Sequence, residues 1–252
     1  MISRDRRVSA AYWDDALRIL TRNVEQFRPF SHKFRSDDVR AGILRTTANF
    51  EGTFFLLGAR YSAGVSVEEL AEDVESGVTV WETWNRYAAV PDAGFPLDPM
   101  EFGNKSTYYY ALWLASVARC VGGESVLMDR LVGVVAAAGG ADPVLGVLLG
   151  VEPVRESVWH KRPFQNLLTA AVGKPDRAEA ALLRYVQAWE KNISFIWWAP
   201  ALKAVQGDRF ATYFGYWAWE AAGLVVARGL DDTALRASPY YPADLVDSKQ
   251  DR

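Results

Sequence analysis

A single cysteine, Cys120, stands among 252 residues. No disulfide can form within one chain, and no Cys-based metal site can be built. This fits a reducing compartment, so a cytoplasmic protein is expected. Cys120 lies in the apolar run ALWLASVARC and reads as a small packing residue. Histidine is almost as scarce. His32 and His160 sit apart, each followed by a lysine, and no HExxH or HxH occurs. There is no GxSxG elbow, no GxxxxGK[ST] and no GxGxxG, so the common hydrolase and nucleotide signatures are missing. No metal and no cofactor are expected. Strand-like alternation of useful length is lacking too. The start, MISRDRRVSAAYW, has no apolar segment behind its charges, so it does not read as a signal peptide. Two apolar stretches fall short of a membrane span. Phe210 to Ala227 carries Glu220, and Leu131 to Val151 is cut by Gly139-Gly140-Ala141-Asp142-Pro143. Neither half of the second can cross a bilayer core of about 30 Å.

Half of the residues are hydrophobic and 13% are aromatic, with ten tryptophans. This reads as a large Trp-rich core between helices; an aromatic ligand cage is the alternative. Amphipathic periodicity predicts helices over residues 7–27, from a cap at Ser36 or Asp37 to about Tyr61, and onward from Ser66 after a stop at Gly64. Pro29 is expected to end the first. Ser66 with Glu69 has capping-box spacing. Pro91, Pro96 and Pro99 make residues 91–104 a loop, read as a domain seam or a functional loop. Further helices are expected near 106–121, 124–138 and 142–150, from Pro175 through Trp189, and, kinked, over Asn192–Ala204, with irregular chain around Pro163. The longest aromatic helix is expected from Asp208 to Gly229, apolar on every side and therefore the buried central post. The fold class is all-α, a multi-helix bundle of two closely packed helical subdomains, residues 1–100 and 101–252.

Charge is distributed unevenly. The net total is −3, but residues 61–101 hold nine acids and one base, Arg86, for a net of −8. Residues 1–60 hold eleven bases and seven acids, net +4. At about 100° per residue, Val67, Leu70, Val74, Trp81 and Trp84 form one stripe. Glu68, Glu69, Glu72, Asp73, Glu75 and Glu82 fall opposite, with Asp92 and Asp98 in the following loop. Such a face is either merely solvated or a binding surface. Asp37-Asp38 and Asp231-Asp232 read most simply as helix caps. Arg4, Arg6 and Arg7 read as solvated, with a nucleic-acid arm as the sharper alternative. Glu220 is a lone acid on an apolar helix. It is either a structural hydrogen-bond partner or a general acid or base with a raised pKa.

The string FGYWAWEAAGLVV at Phe214–Val226, then Asp231-Asp232 and YYPADLV at Tyr240–Val246, resembles the C-terminal signature of the PoNi family. RYSAGVSVEEL at Arg60–Leu70 is similar to a motif of that family's N-terminal domain. The resemblance implies an immunity protein against PoNe-type DNase toxins, which bacteria deliver into rivals, often by type VI secretion. It implies an inhibitor, not an enzyme, whose partner is a basic nuclease domain; neither nucleic acid nor membrane is expected as a partner, and homo-oligomerisation is left open. A DNase must attract phosphate. Two acidic surfaces are therefore candidates for binding it. One is Glu68, Glu69, Glu72, Asp73, Glu75 and Glu82 with Asp92 and Asp98. The other is Asp231, Asp232 and Asp244, with Asp247 beside them and Tyr240 and Tyr241 either as anchors or packed in the fold. An all-α ligand-binding protein or enzyme with an aromatic-lined pocket is the competing reading.

Overall fold

A computed structural model describes residues 3–90, 97–122, 125–205 and 213–250. Every regular element among them is helical, so the fold is all-α. The chain forms two units. Unit 1 is Met1–Met100 with Thr212–Gly215, and unit 2 is Glu101–Ala211 with Tyr216–Arg252.

Unit 1 is built on three helices: α1 (Ala10–Ser31), α2 (Val39–Ala63) and α3 (Leu70–Ala88). Ser9 caps α1 by accepting from the Tyr12 amide at 3.2 Å. Pro29 does not end this helix, contrary to expectation. It lies in the last turn, where its missing N–H costs one bond, and His32 N donates to Arg28 O at 3.0 Å to close the helix. The cap of α2 is Asp38, not Ser36 or Asp37; its carboxylate accepts from Ala41 N at 3.2 Å. Asp37 pairs with Arg35 instead. Gly64 closes α2. Ahead of α3, Ser66 Oγ accepts from Glu69 N at 3.4 Å and donates to Glu69 Oε2 at 2.7 Å. The Ser66–Glu69 pair thus forms, in a turn that leads into the helix. Val67, Leu70, Val74 and Trp81 are buried, as their stripe requires.

Unit 2 holds α4 (Lys105–Val121), α5 (Ser125–Ala137), α6 (Pro143–Leu149), α7 (Lys161–Val172), α8 (Pro175–Gln187), α9 (Trp189–Asn192), α10 (Ala201–Val205), α11 (Trp219–Arg228) and α12 (Ala243–Gln250). Asn104 caps α4 through Ser106 N and Thr107 N. Asp142, fully buried, caps α6 through Val144 N and Leu145 N, both at 3.0 Å, and its other oxygen accepts from Tyr108 Oη and Trp159 N.

Two expected helices are corrected. Of the post expected from Asp208 to Gly229, the described residues are helical over Trp219–Arg228, while Tyr213–Ala218 has no regular secondary structure. Gly215 has φ 101°, outside the helical region, and separates Phe214 from Tyr216. Asp208 and Phe210 lie outside the described residues. The buried centre of unit 2 is α4, with 14 of its 17 residues buried. The helix expected over Asn192–Ala204 is a series of turns between α9 and α10. Ile196 N, Ala199 N and Ala201 N each bond three residues back, and Pro200 has no N–H to give.

Candidate functional site

The acidic residues of unit 1 separate into two kinds. Glu68, Glu69, Glu72 and Glu75 are exposed, on the turn into α3 and along its outer side. Glu82 is half-buried, and Asp98 is exposed beyond the helix. Asp92 lies outside the described residues. Asp73 is different. Its side chain is covered and pairs with Arg60 Nε at 2.8 Å, while the guanidinium lies 4.0 Å from Glu69. Burial pushes the Asp73 carboxyl up to about 6, and Arg60 pulls it back only in part. Asp73 therefore fastens α3 to α2 and adds little to the outward charge.

The helix is also fixed from α1. His32 Nε2 lies 2.6 Å from Ser76 Oγ, and Nδ1 lies 3.0 Å from Ser31 Oγ. Ser31 accepts from Asn49 Nδ2 at 2.7 Å. Burial lowers the His32 pKa to about 4, with Arg28 adding to the effect, so the ring is neutral at pH 7. A neutral ring can bridge two hydroxyls without adding positive charge behind the acidic face. Sequence alone showed only a histidine in a loop; its link to Ser76 is tertiary and had no local signal.

The C-terminal acids in unit 2 are largely engaged. Asp231 accepts from the Thr233 amide and hydroxyl, which hold its carboxyl below the usual range. Asp232 is only 7% exposed, bound to Arg236 Nε at 2.8 Å and to Tyr241 Oη at 3.0 Å. Arg236 also pairs with Asp247 at 2.6 Å. Asp244 is exposed. Tyr241 is buried, and Tyr240 rests against Trp189 with ring centroids 5.3 Å apart while donating to Glu190 at 2.9 Å. These tyrosines are parts of the fold. Of this second group, Asp231 and Asp244 face solvent and Asp232 does not.

Glu220 is wholly buried. Its Oε1 accepts from Tyr185 Oη, a short bond, and from Trp189 Nε1 at 3.0 Å. Burial pushes the carboxyl up to about 7, and those two donors oppose the rise. The tyrosine partner is the structural role expected of it. The surrounding rings lie against one another: Trp113 on Trp219 at 5.6 Å, Trp189 on Tyr216 at 5.7 Å, Tyr109 on Phe164 at 6.2 Å. Rings so arranged make a packed aromatic core. Among the described residues, no three His, Cys, Asp or Glu side chains converge as metal ligands would, and no helix is long and apolar enough to cross a membrane.

Comparison with known proteins adds to this geometry. Residues 43–132 match the family profile of the N-terminal part of PoNe immunity proteins (PoNi), and residues 142–245 match that of the C-terminal part. No curated protein matches the chain. Among solved structures, protein PA2201 from Pseudomonas aeruginosa is similar with a TM-score of 0.73 at 23% identity, over 99% of this chain and 91% of that one. That likeness speaks to the fold. The two profile matches run in order along most of the chain, and they contain the Arg60–Leu70 and Phe214–Val226 motifs. The chain belongs to the family of PoNe immunity proteins (PoNi).

Proposed function

We propose that this chain protects the cell that makes it by binding a co-encoded PoNe-type DNase and denying DNA access to its cleft. Membership of the PoNi family is the observation that carries this reading. The rest is electrostatics. A nuclease presents positive charge to the phosphate backbone. A rigid acidic surface exploits that charge, speeding encounter and fixing orientation. The face of α3 suits this role better than the C-terminal acids. Glu68, Glu69, Glu72 and Glu75 are exposed on and beside one helix, whereas Asp232 and Asp247 are committed to Arg236. Asp98, exposed beyond the helix, extends this reading; Asp92, also expected to take part, lies outside the described residues. Protection by this route comes from binding and needs no turnover, no cofactor and no metal. It takes place in the cytoplasm, where a delivered DNase meets the chromosome.

The test is a DNA-cleavage assay with the purified toxin domain. One molar equivalent of this chain is expected to stop cleavage. Undiminished cleavage at several-fold excess would count against the proposal, and so would degradation of the toxin at a catalytic amount of the chain.

A further inference from the structure

Unit 1 is closed by a piece of chain from far along the sequence. Tyr213 and Phe214 pack with residues 1–100, and each is 1% exposed. Tyr213 engages all of its polar atoms. Its amide donates to Tyr12 Oη at 3.0 Å, and its carbonyl accepts from that same hydroxyl at 2.7 Å. Its own hydroxyl donates to Asp5 Oδ2 at 2.5 Å. Phe214 stacks on Phe55 with centroids 4.2 Å apart and planes 12° apart, and its carbonyl accepts from Ser62 Oγ at 3.1 Å.

The N-terminal segment under this contact is tied to the end of α2 and to α1, where Trp13 Nε1 donates to Asp5 O at 3.1 Å. Among the described residues it has no regular structure over 3–8. The amides of Arg4 and Asp5 both donate to Ser62 O, at 2.9 and 3.2 Å. Arg4 Nη1 reaches Tyr61 O and Val65 O. Asp5 is 2% exposed, with Arg7 as its ion-pair partner at 2.8 Å. The Asp5 carboxylate also accepts from Arg7 N at 3.0 Å, so among these donors the Tyr213 hydroxyl is the one that comes from outside the N-terminal segment.

We infer that Tyr213–Phe214 is a strap that seals the N-terminal segment onto the end of α2, and that unit 1 is incomplete until this late segment is in place. Residues 101–211, which build most of unit 2, come between the two parts of unit 1 in chain order. The N-terminal family profile, residues 43–132, contains neither Asp5 nor Tyr213. Its limits are therefore not those of a folding unit. A chain cut short before Tyr213 would present the acidic face of α3 on an unsealed unit. This inference concerns folding, and it stands whether or not α3 meets a toxin.

Hydrogen exchange followed by mass spectrometry on the full chain tests it, with Tyr213→Phe and Phe214→Ala beside the parent. Phe214→Ala is expected to speed exchange of the Arg4 and Asp5 amides by roughly tenfold or more, because opening there no longer breaks the aromatic stack. Tyr213→Phe keeps the ring and the fold, and is expected to speed the same amides by a smaller factor. In both variants α7 and α8 keep the parent's protection. Unchanged protection at Arg4 and Asp5 in Tyr213→Phe would overturn the inference. An equal loss of protection in α7 and α8 would do so too, whichever variant shows it.

Discussion

Glu220 shows how one residue can shape the chemistry of a core. Its folded pKa is about 7 against an ordinary 4.5. Between those values the folded chain holds a proton that the unfolded chain has released. Stability from this group is therefore fully present below about pH 4.5, falls as pH rises through the window, and levels off above 7. The limiting slope is about 1.4 kcal/mol per pH unit. Glu220→Gln stays neutral throughout, so its stability should be flatter from pH 5 to 7 than the parent's, as read by urea unfolding. His32 works in the opposite sense, losing stability as pH falls from 6.5 to about 4. Asp73 has the same sign as Glu220, with its window between 3.8 and about 6. Both are common to the two chains and cancel in the difference. An equal slope in parent and variant would show that Glu220 is not held as a neutral acid. Asp142 makes a second case. Asp142→Ala would leave Tyr108 Oη, Trp159 N and two helix N–H groups without their acceptor. A loss of about 3–5 kcal/mol is expected in the same unfolding measurement.

At the scale of elements, periodicity decided what could be read from sequence. α1, α3 and α8 each have one apolar face, and the spacing of their apolar residues located them. Residues 213–218 are apolar on all sides and residues 193–200 nearly so, with Ser194 the one polar side chain, so no period distinguishes helix from turn or extended chain there. Side chains of neighbouring residues in such a run pack in different directions, and only the assembled core shows which. The outward side of Glu72 and Glu75 followed from helix geometry; Glu68 is exposed on the turn that leads into α3. The covering of Asp73 did not, because Arg60 reaches it from α2. The Asp232–Arg236 pair had a local signal in its i, i+4 spacing; the burial of Asp232 under Tyr241 had none. The crossing of α4 and α11 gives a prediction at this scale. A Cβ on Gly223 would lie 2.6 Å from Ser116 Cβ and 2.7 Å from its Cα. The helices must separate to admit it. Gly223→Ala is expected to cost about 2 kcal/mol by overpacking despite the better helix propensity of alanine. A rise in the melting temperature of that variant would show that the two helices have room for a methyl group beside Ser116.

At the scale of the whole molecule, a net charge of −3 conceals the local −8 of residues 61–101. Net charge would suggest a weak field, but Glu68, Glu69, Glu72 and Glu75 are exposed together on and beside α3, and on the proposed reading a partner meets these first. Surface acids scattered at random would give association little dependence on salt. A concentrated acidic face gives rapid encounter that slows as ionic strength rises. Arg60 and His32 hold the helix through Asp73 and Ser76, two side chains that reversing the outer glutamates does not alter. The decisive measurement is the stopped-flow association rate with the cognate DNase domain, for the parent and for Glu68→Lys, Glu72→Lys and Glu75→Lys combined. The parent rate should fall steeply with salt, and the triple variant should associate about ten-fold or more slowly at low salt, with a shallower salt dependence. Equal association rates for the two chains at low salt would contradict the assignment of binding to α3.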